Sequence, residues 1–188
     1  EAGDLIVLTG PLGAGKTTFI MSAIEALKGR SRVGVIEGDV SSCIDTEKLN
    51  QAGVTAIQIN TTGGACHLDA GMVNSALLNL PLDEIDILFI ENVGNLICPG
   101  SFDLGESIKL VISSTPEGAD KPYKYPLMFT IADAIVISKI DLLPYVNFDM
   151  DGFNAAVKGI NQKVEIFPVS SLKGDGMQKW VNWLAARA

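Results

Sequence analysis

The chain is 188 residues long but contains one histidine, three cysteines and only 6% aromatic residues. An odd cysteine count without framework spacing excludes a disulfide-stapled secreted scaffold and argues for a reducing compartment. Basic residues are also scarce: 14 Lys and Arg stand against 22 acids, for a formal net charge of −8. That balance argues against nucleic acid and anionic membrane surfaces as partners, although backbone amides can still build a local anion site. No apolar run approaches the roughly 18–20 residues of a membrane-spanning helix. No signal peptide, repeat or low-complexity tract is present, and the cytoplasm is the expected location. The chain starts at Glu1 rather than a methionine, which suggests a trimmed N-terminus.

What remains is a composition suited to a buried core, 47% hydrophobic and 19% charged, consistent with one domain over residues 1–188. Short apolar runs at 4–10, 32–39, 54–60, 85–94, 108–115, 134–142 and 163–171 read as buried strands. Helical periodicity fills 16–29, 45–53, 67–80, 124–132, 149–161 and 175–187. Asp45 is a plausible cap and Gly53 a stop for the second helix. Strands that are apolar throughout and alternate with helices predict an α/β fold, a mainly parallel sheet covered on both faces. The stretch 113–126 reads as one long irregular connection.

"GPLGAGKTT" (10–18) follows the first strand and opens the first helix, the context that a P-loop requires. Gly10, Gly13, Ala14, Gly15 and Thr18 line a turn whose N–H groups face phosphate oxygens, helped by the helix dipole. Lys16 is expected to reach the β and γ phosphates and the Thr17 hydroxyl to ligate magnesium. This makes the chain a P-loop NTPase.

Base choice rests on "SKID" (138–141), which resembles the Asn-Lys-x-Asp motif of P-loop GTPases. Asp141 can accept from the guanine ring N–H and amino group, which adenine does not offer, and the Lys139 stem can stack on the base. Ser138 replaces the asparagine, keeping a hydroxyl and losing the reach of an amide. "PVSSLKGDG" (168–176) resembles the second base-contacting loop, with Ser170, Ser171 and Leu172 nearest the guanine carbonyl. GTP and GDP are therefore the expected nucleotides.

Asp39 and Glu91 end apolar strands, where ligands of open α/β sheets gather, and join Thr17 as expected magnesium ligands. Glu37 is a neighbouring acid. "ENVG" varies the Asp-x-x-Gly motif, with Gly94 placed to sense the γ-phosphate, so Lys16, Asp39, Glu91 and Gly94 form the expected catalytic set. Asn95 stands where a water-orienting glutamine would be useful, so slow intrinsic hydrolysis is expected, dependent on a partner or a dimer.

The single histidine, His67, directly follows Cys66, and Cys98 lies seven residues after Glu91. Two thiolates and one imidazole suit nickel or zinc. Cysteine is also among the most buried residue types, so spacing alone leaves core packing open as the alternative. Cys43 has no such neighbour and reads as structural. Asp69 reads as a first-turn helix acid.

"GPLGAGKTT", "EGDV", "ACHLDA", "ENVGNLICP" and "DKPYKYP" together resemble the hydrogenase nickel-incorporation GTPases, the HypB family, across essentially the whole chain. The resemblance implies a dimerising SIMIBI-class GTPase and metallochaperone that delivers nickel during nickel–iron hydrogenase maturation. It implies a homodimer whose interface holds nickel or zinc on Cys66, His67 and Cys98. A HypA-type nickel chaperone and the hydrogenase large-subunit precursor are the implied partners. No N-terminal cysteine motif or histidine-rich storage tract precedes Asp4, so residues 1–188 are expected to hold no separate metal-storage segment, either because high-capacity storage is lacking or because that segment was removed. The urease nickel GTPases carry Cys-Pro-His where this chain has Cys66-His67, which favours the hydrogenase branch. A P-loop nucleotide kinase is the alternative from another class, disfavoured by the guanine motif and the few basic residues. The roles of Lys121 and Lys124 in a partner's nucleotide site are left open by the sequence.

Overall fold

A computed structural model describes residues 3–39, 44–61 and 66–187, without the side chains of residues 39, 44 and 45. Cys43 lies outside the described residues. Among them, seven strands form one sheet in the order β3-β2-β4-β1-β5-β6-β7. They are β1 (Asp4–Thr9), β2 (Val33–Asp39), β3 (Thr55–Asn60), β4 (Ile87–Glu91), β5 (Ile108–Ser114), β6 (Ala134–Ser138) and β7 (Glu165–Pro168), and every pairing is parallel. The helices are α1 (Lys16–Leu27), α2 (Ile44–Gln51), α3 (Ala70–Leu77), α4 (Lys121–Lys124), α5 (Pro126–Ile131), α6 (Met150–Ile160) and α7 (Met177–Ala185).

The apolar strands explain this order. β1 buries consecutive residues, so both of its faces need cover and it takes a central position. Ile6 and Leu8 join a core with Phe19 of α1 and Trp180 of α7. Val7 points to the other face, to Ile36, Leu68, Val73 and Ile90. Farther along that face, Val111, Ile135 and Ile137 meet Phe129 of α5 and Phe153 of α6. The expected fold is therefore observed, and no helix among the described residues is long and apolar enough to cross a membrane.

Boundaries moved for local reasons. α3 starts at Ala70 rather than 67, because the Asp69 carboxylate accepts from the Met72 N–H at 2.8 Å and caps it. Asp69 is thus a cap and not a first-turn acid. α2 begins at Ile44, which places Asp45 inside the first turn instead of at the cap, while Gly53 (φ 79°) ends the segment as expected. β6 stops at Ser138 because Lys139 turns into the left-handed region, φ 61°, alone among the described non-glycine residues. The stretch 113–126 is not irregular throughout: a 3-10 turn over Thr115–Glu117 leads into α4, and Pro126 opens α5.

At the amino ends of β2 and β4, the Arg32 guanidinium meets the Asp86 carboxylate at 2.6 Å, and the two backbones exchange a further bond, Asp86 N–H to Arg32 carbonyl at 2.8 Å. The Arg32 hydrogen bonds lower the Asp86 carboxyl from 3.8 to about 2. A carboxylate depressed on folding adds stability above its unfolded value and loses it as pH falls toward its folded one. The stability difference between the native chain and Asp86→Asn should therefore be present at neutral pH and vanish between about pH 4 and 2. It should be small and weaken with salt, because the pair is exposed. Urea unfolding across that pH range checks both.

Candidate nucleotide and metal site

The carboxyl ends of β1, β4 and β6 converge, and the expected residues converge with them. Gly10 leaves β1 so close to β5 that a Cβ there would strike the Ile112 carbonyl oxygen. Gly13 (φ 78°) and Gly15 (φ 87°) then turn the chain through conformations that side chains disfavour and start α1. Lys16 is buried, and its ammonium donates to the carbonyls of Gly10 at 3.3 Å and Pro11 at 3.2 Å. The Thr17 hydroxyl donates to both carboxylate oxygens of Glu91, at 3.1 and 2.9 Å, and Lys16 Nζ lies 4.0 Å from the same carboxylate.

Gly94 backs directly onto the loop: a Cβ there would sit 3.0 Å from the Leu12 backbone. Asp39 ends β2 as expected, with its side chain outside the described residues. Lys16, Thr17, Glu91 and Gly94 border a cavity of about 510 Å³ that also takes in Glu37, Lys48 and Asn92. Glu37 is buried and accepts the Thr46 hydroxyl, so α2 is tied to the cavity floor.

A second cavity, about 250 Å³, lies between Gly15 and Thr18 on one side and Ser138, Lys139, Asp141, Ser171 and Leu172 on the other. The Ser138 hydroxyl donates to the Ala14 carbonyl at 2.6 Å, and Lys139 Nζ to the Gly13 carbonyl at 2.7 Å. The serine thus has a structural task that needs only a hydroxyl. Thr115 donates to the Lys139 carbonyl at 2.7 Å and braces the left-handed turn. The buried Ser170 hydroxyl donates to Asp141 at 2.7 Å and, with the Lys173 and Lys139 charges, holds that carboxyl below its usual range. Asp141 is therefore ionised at neutral pH, the form that accepts two N–H donors.

The third group is the cysteine–histidine cluster. Cys66 and Cys98 bring their sulfurs within 2.7 Å, and His67 Nδ1 lies 3.5 Å from the Cys66 sulfur. All three donor atoms fall within 4.8 Å of one another, as in no other group of three or more such side chains among the described residues. Two soft sulfurs and one imidazole at that spacing fit a nickel or zinc ion with at least one position left over. Cys98 and burial raise the Cys66 thiol above its ordinary value, so metal would have to displace its proton.

Residues that the motifs did not reveal support the cluster. Phe102 stacks on the His67 ring with centroids 3.8 Å apart. Asn92, buried at the end of β4, accepts the Leu68 N–H at 3.0 Å. Asn95 donates to the Cys66 carbonyl at 3.2 Å and accepts the Ile97 N–H at 2.8 Å. The asparagines are marked only by their place in "ENVGN", and nothing in the sequence marks Phe102.

Residues 4–168 match the family model described as CobW/HypB/UreG, nucleotide-binding domain. A crystal structure of hydrogenase maturation factor HypB from Archaeoglobus fulgidus superposes with a TM-score of 0.90 at 38% identity, covering 98% of this chain and 89% of that one. The chain belongs to the HypB family. A HypB structure from Helicobacter pylori, solved in complex with nickel, is similar at TM-score 0.93 and 36% identity, covering 99% of this chain and 87% of its own. Hydrogenase maturation factor HypB of Escherichia coli K12 is 48% identical over 172 residues, 92% of this chain but 59% of that protein. The chain thus spans less than two thirds of some HypB relatives. The matching family model is that of CobW, HypB and UreG, not that of a nucleotide kinase.

Removing the Ser138 hydroxyl leaves the Ala14 carbonyl without its buried donor, which costs about 1–3 kcal/mol. Ser138→Ala should accordingly lower the thermal midpoint, whereas Ser138→Thr, which keeps a hydroxyl, should lower it less. Calorimetry on the three proteins decides the point.

Proposed function

We propose that the chain is a GTP-hydrolysing nickel metallochaperone for nickel–iron hydrogenase maturation, acting in the cytoplasm as a homodimer. Nickel is its cargo, received from a HypA-type chaperone and passed toward the hydrogenase large-subunit precursor. One observation carries the reading. The segment Glu91–Cys98 begins at the carboxylate that accepts the Thr17 hydroxyl and ends at a cysteine of the metal cluster. A nucleotide site and a soft-metal site on one short stretch of backbone is the arrangement a nucleotide-controlled carrier needs.

Lys16 would stand against the β and γ phosphates, and Thr17, Glu91 and Asp39 would hold magnesium, which neutralises phosphate charge when bound. Gly94, packed on Leu12 and lining the cavity, would offer its N–H to the γ-phosphate. Ionised Asp141 would select guanine, with Lys139 along the base and the Ser170–Leu172 loop at its carbonyl. The Asn95 amide is already bonded at both ends, so it is poorly placed to orient a water, and slow intrinsic hydrolysis follows. Cys66, His67 and Cys98 supply three donors, and a second copy facing this surface would supply more. The nickel complex of the Helicobacter pylori relative supports the cargo assignment.

Anaerobic titration of the reduced protein with Ni(II), with GDP and with a non-hydrolysable GTP analogue, tests the reading. Sulfur-to-nickel charge-transfer bands should appear, differ between the two nucleotides, and disappear in Cys66→Ala and Cys98→Ala. No sulfur-ligated nickel in either state would leave a GTPase with structural thiols. Asp141→Asn should weaken GDP binding by at least about tenfold, through loss of hydrogen bonds to a charged acceptor. Equal GDP affinities in the two proteins would refute the guanine assignment.

A further inference from the structure

We infer that Asn95 is the positioning residue through which the nucleotide pocket and the metal cluster influence one another. This rests on the nucleotide–metal coupling proposed above and names the residue that carries it. Three segments meet at Asn95. Its backbone forms an isolated antiparallel bridge with Gly10, the first residue of the P-loop. Its Nδ2 donates to the Cys66 carbonyl at 3.2 Å, across 29 residues of sequence. Its Oδ1 accepts the Ile97 N–H at 2.8 Å and closes the turn that presents Cys98. The preceding residue, Gly94, has no room to move toward the loop, since even a Cβ would meet Leu12 at 3.0 Å.

This geometry makes Asn95 a rigid link. Asn95 is bridged to Gly10 and adjacent to Gly94, so a shift of the P-loop at Gly10 carries Asn95 with it. The side chain then passes the shift along two arms, one to the Cys66 backbone and one to the turn before Cys98. Both sulfur ligands move, and their separation sets how well they close on one ion. Asn92 does not serve the same purpose. It lines the nucleotide cavity and accepts from Leu68 and from its own neighbour Val93, so it holds the backbone after His67 but bonds neither Gly10 nor the turns that carry Cys66 and Cys98. Phe102 braces His67 by stacking and does not line the nucleotide cavity. Link and brace are therefore separable by mutation.

Asn95→Asp is the informative change. A carboxylate still accepts the Ile97 N–H and keeps the turn, but it has no donor for the Cys66 carbonyl and repels it. The added negative charge favours any cation in both nucleotide states alike, so it cancels in a ratio. The quantity to measure is Ni(II) affinity with a GTP analogue divided by that with GDP, by competition with a chelating dye, in the native protein, Asn95→Asp and Phe102→Leu. In the native protein this ratio should differ from one by about fivefold or more, the usual lower range for coupled sites. In Asn95→Asp it should collapse toward one. Phe102→Leu should weaken nickel in both states and keep the native ratio.

By reciprocity, nickel should change GTP-analogue affinity by the same factor in the native protein and not in Asn95→Asp. A native ratio retained in Asn95→Asp overturns the inference while leaving the carrier reading intact. Loss of the ratio in Phe102→Leu as well would mean that any loosening of the cluster has this effect, which also overturns it. A native ratio of one removes the coupling itself, and the assignment of Asn95 with it.

Discussion

The parallel pairing of β1 with β4, in a register that sets Leu8 beside Glu91, is the constraint on which the rest of the site depends. It delivers the P-loop and the segment after Glu91 to the same corner of the sheet, side by side and pointing the same way. From there, Thr17 meets Glu91, Gly94 meets Leu12, and Asn95 bridges Gly10 without any long side chain having to search for its partner. A strand order that separated β1 from β4 would keep every motif and lose the site.

The corner also brings hard and soft chemistry into proximity without mixing them. Hydroxyl, carboxylate and lysine ammonium line the phosphate side, whereas two sulfurs and an imidazole stand on the other side of Asn95. Magnesium prefers oxygen and late transition metals accept nitrogen and sulfur, so the two donor sets on one continuous backbone suit different ions. The separation is chemical as much as spatial. Two cations of these kinds would not compete for ligands on this segment.

Much of this was legible in the sequence because it is local. The seven apolar runs became the seven strands, since a strand buried on both faces has no polar positions to blur the pattern. Gly10 to Thr18 declared a phosphate loop by spacing alone. Strand ends were less legible: Ile140 extends the apolar run after β6, yet Lys139 turns left-handed under the grip of Thr115 and ends the strand. Asp69 illustrates the same limit, because capping depends on a dihedral that no periodicity records. Phe102 against His67, and Asn95 against Cys66, are contacts across 35 and 29 residues, formed by side chains of types common in any loop. Only the folded geometry distinguishes them from their neighbours.

The tip of β6 holds the phosphate loop by two hydrogen bonds, from Ser138 to Ala14 and from Lys139 to Gly13. Ser138 and Lys139, which border the second cavity, are thus also struts of the cradle. At this end of the pocket, base preference and overall grip are not independent variables. A redesign of "SKID" toward another purine would slacken the loop around any triphosphate, and its success would have to be judged against that general loosening rather than by selectivity alone.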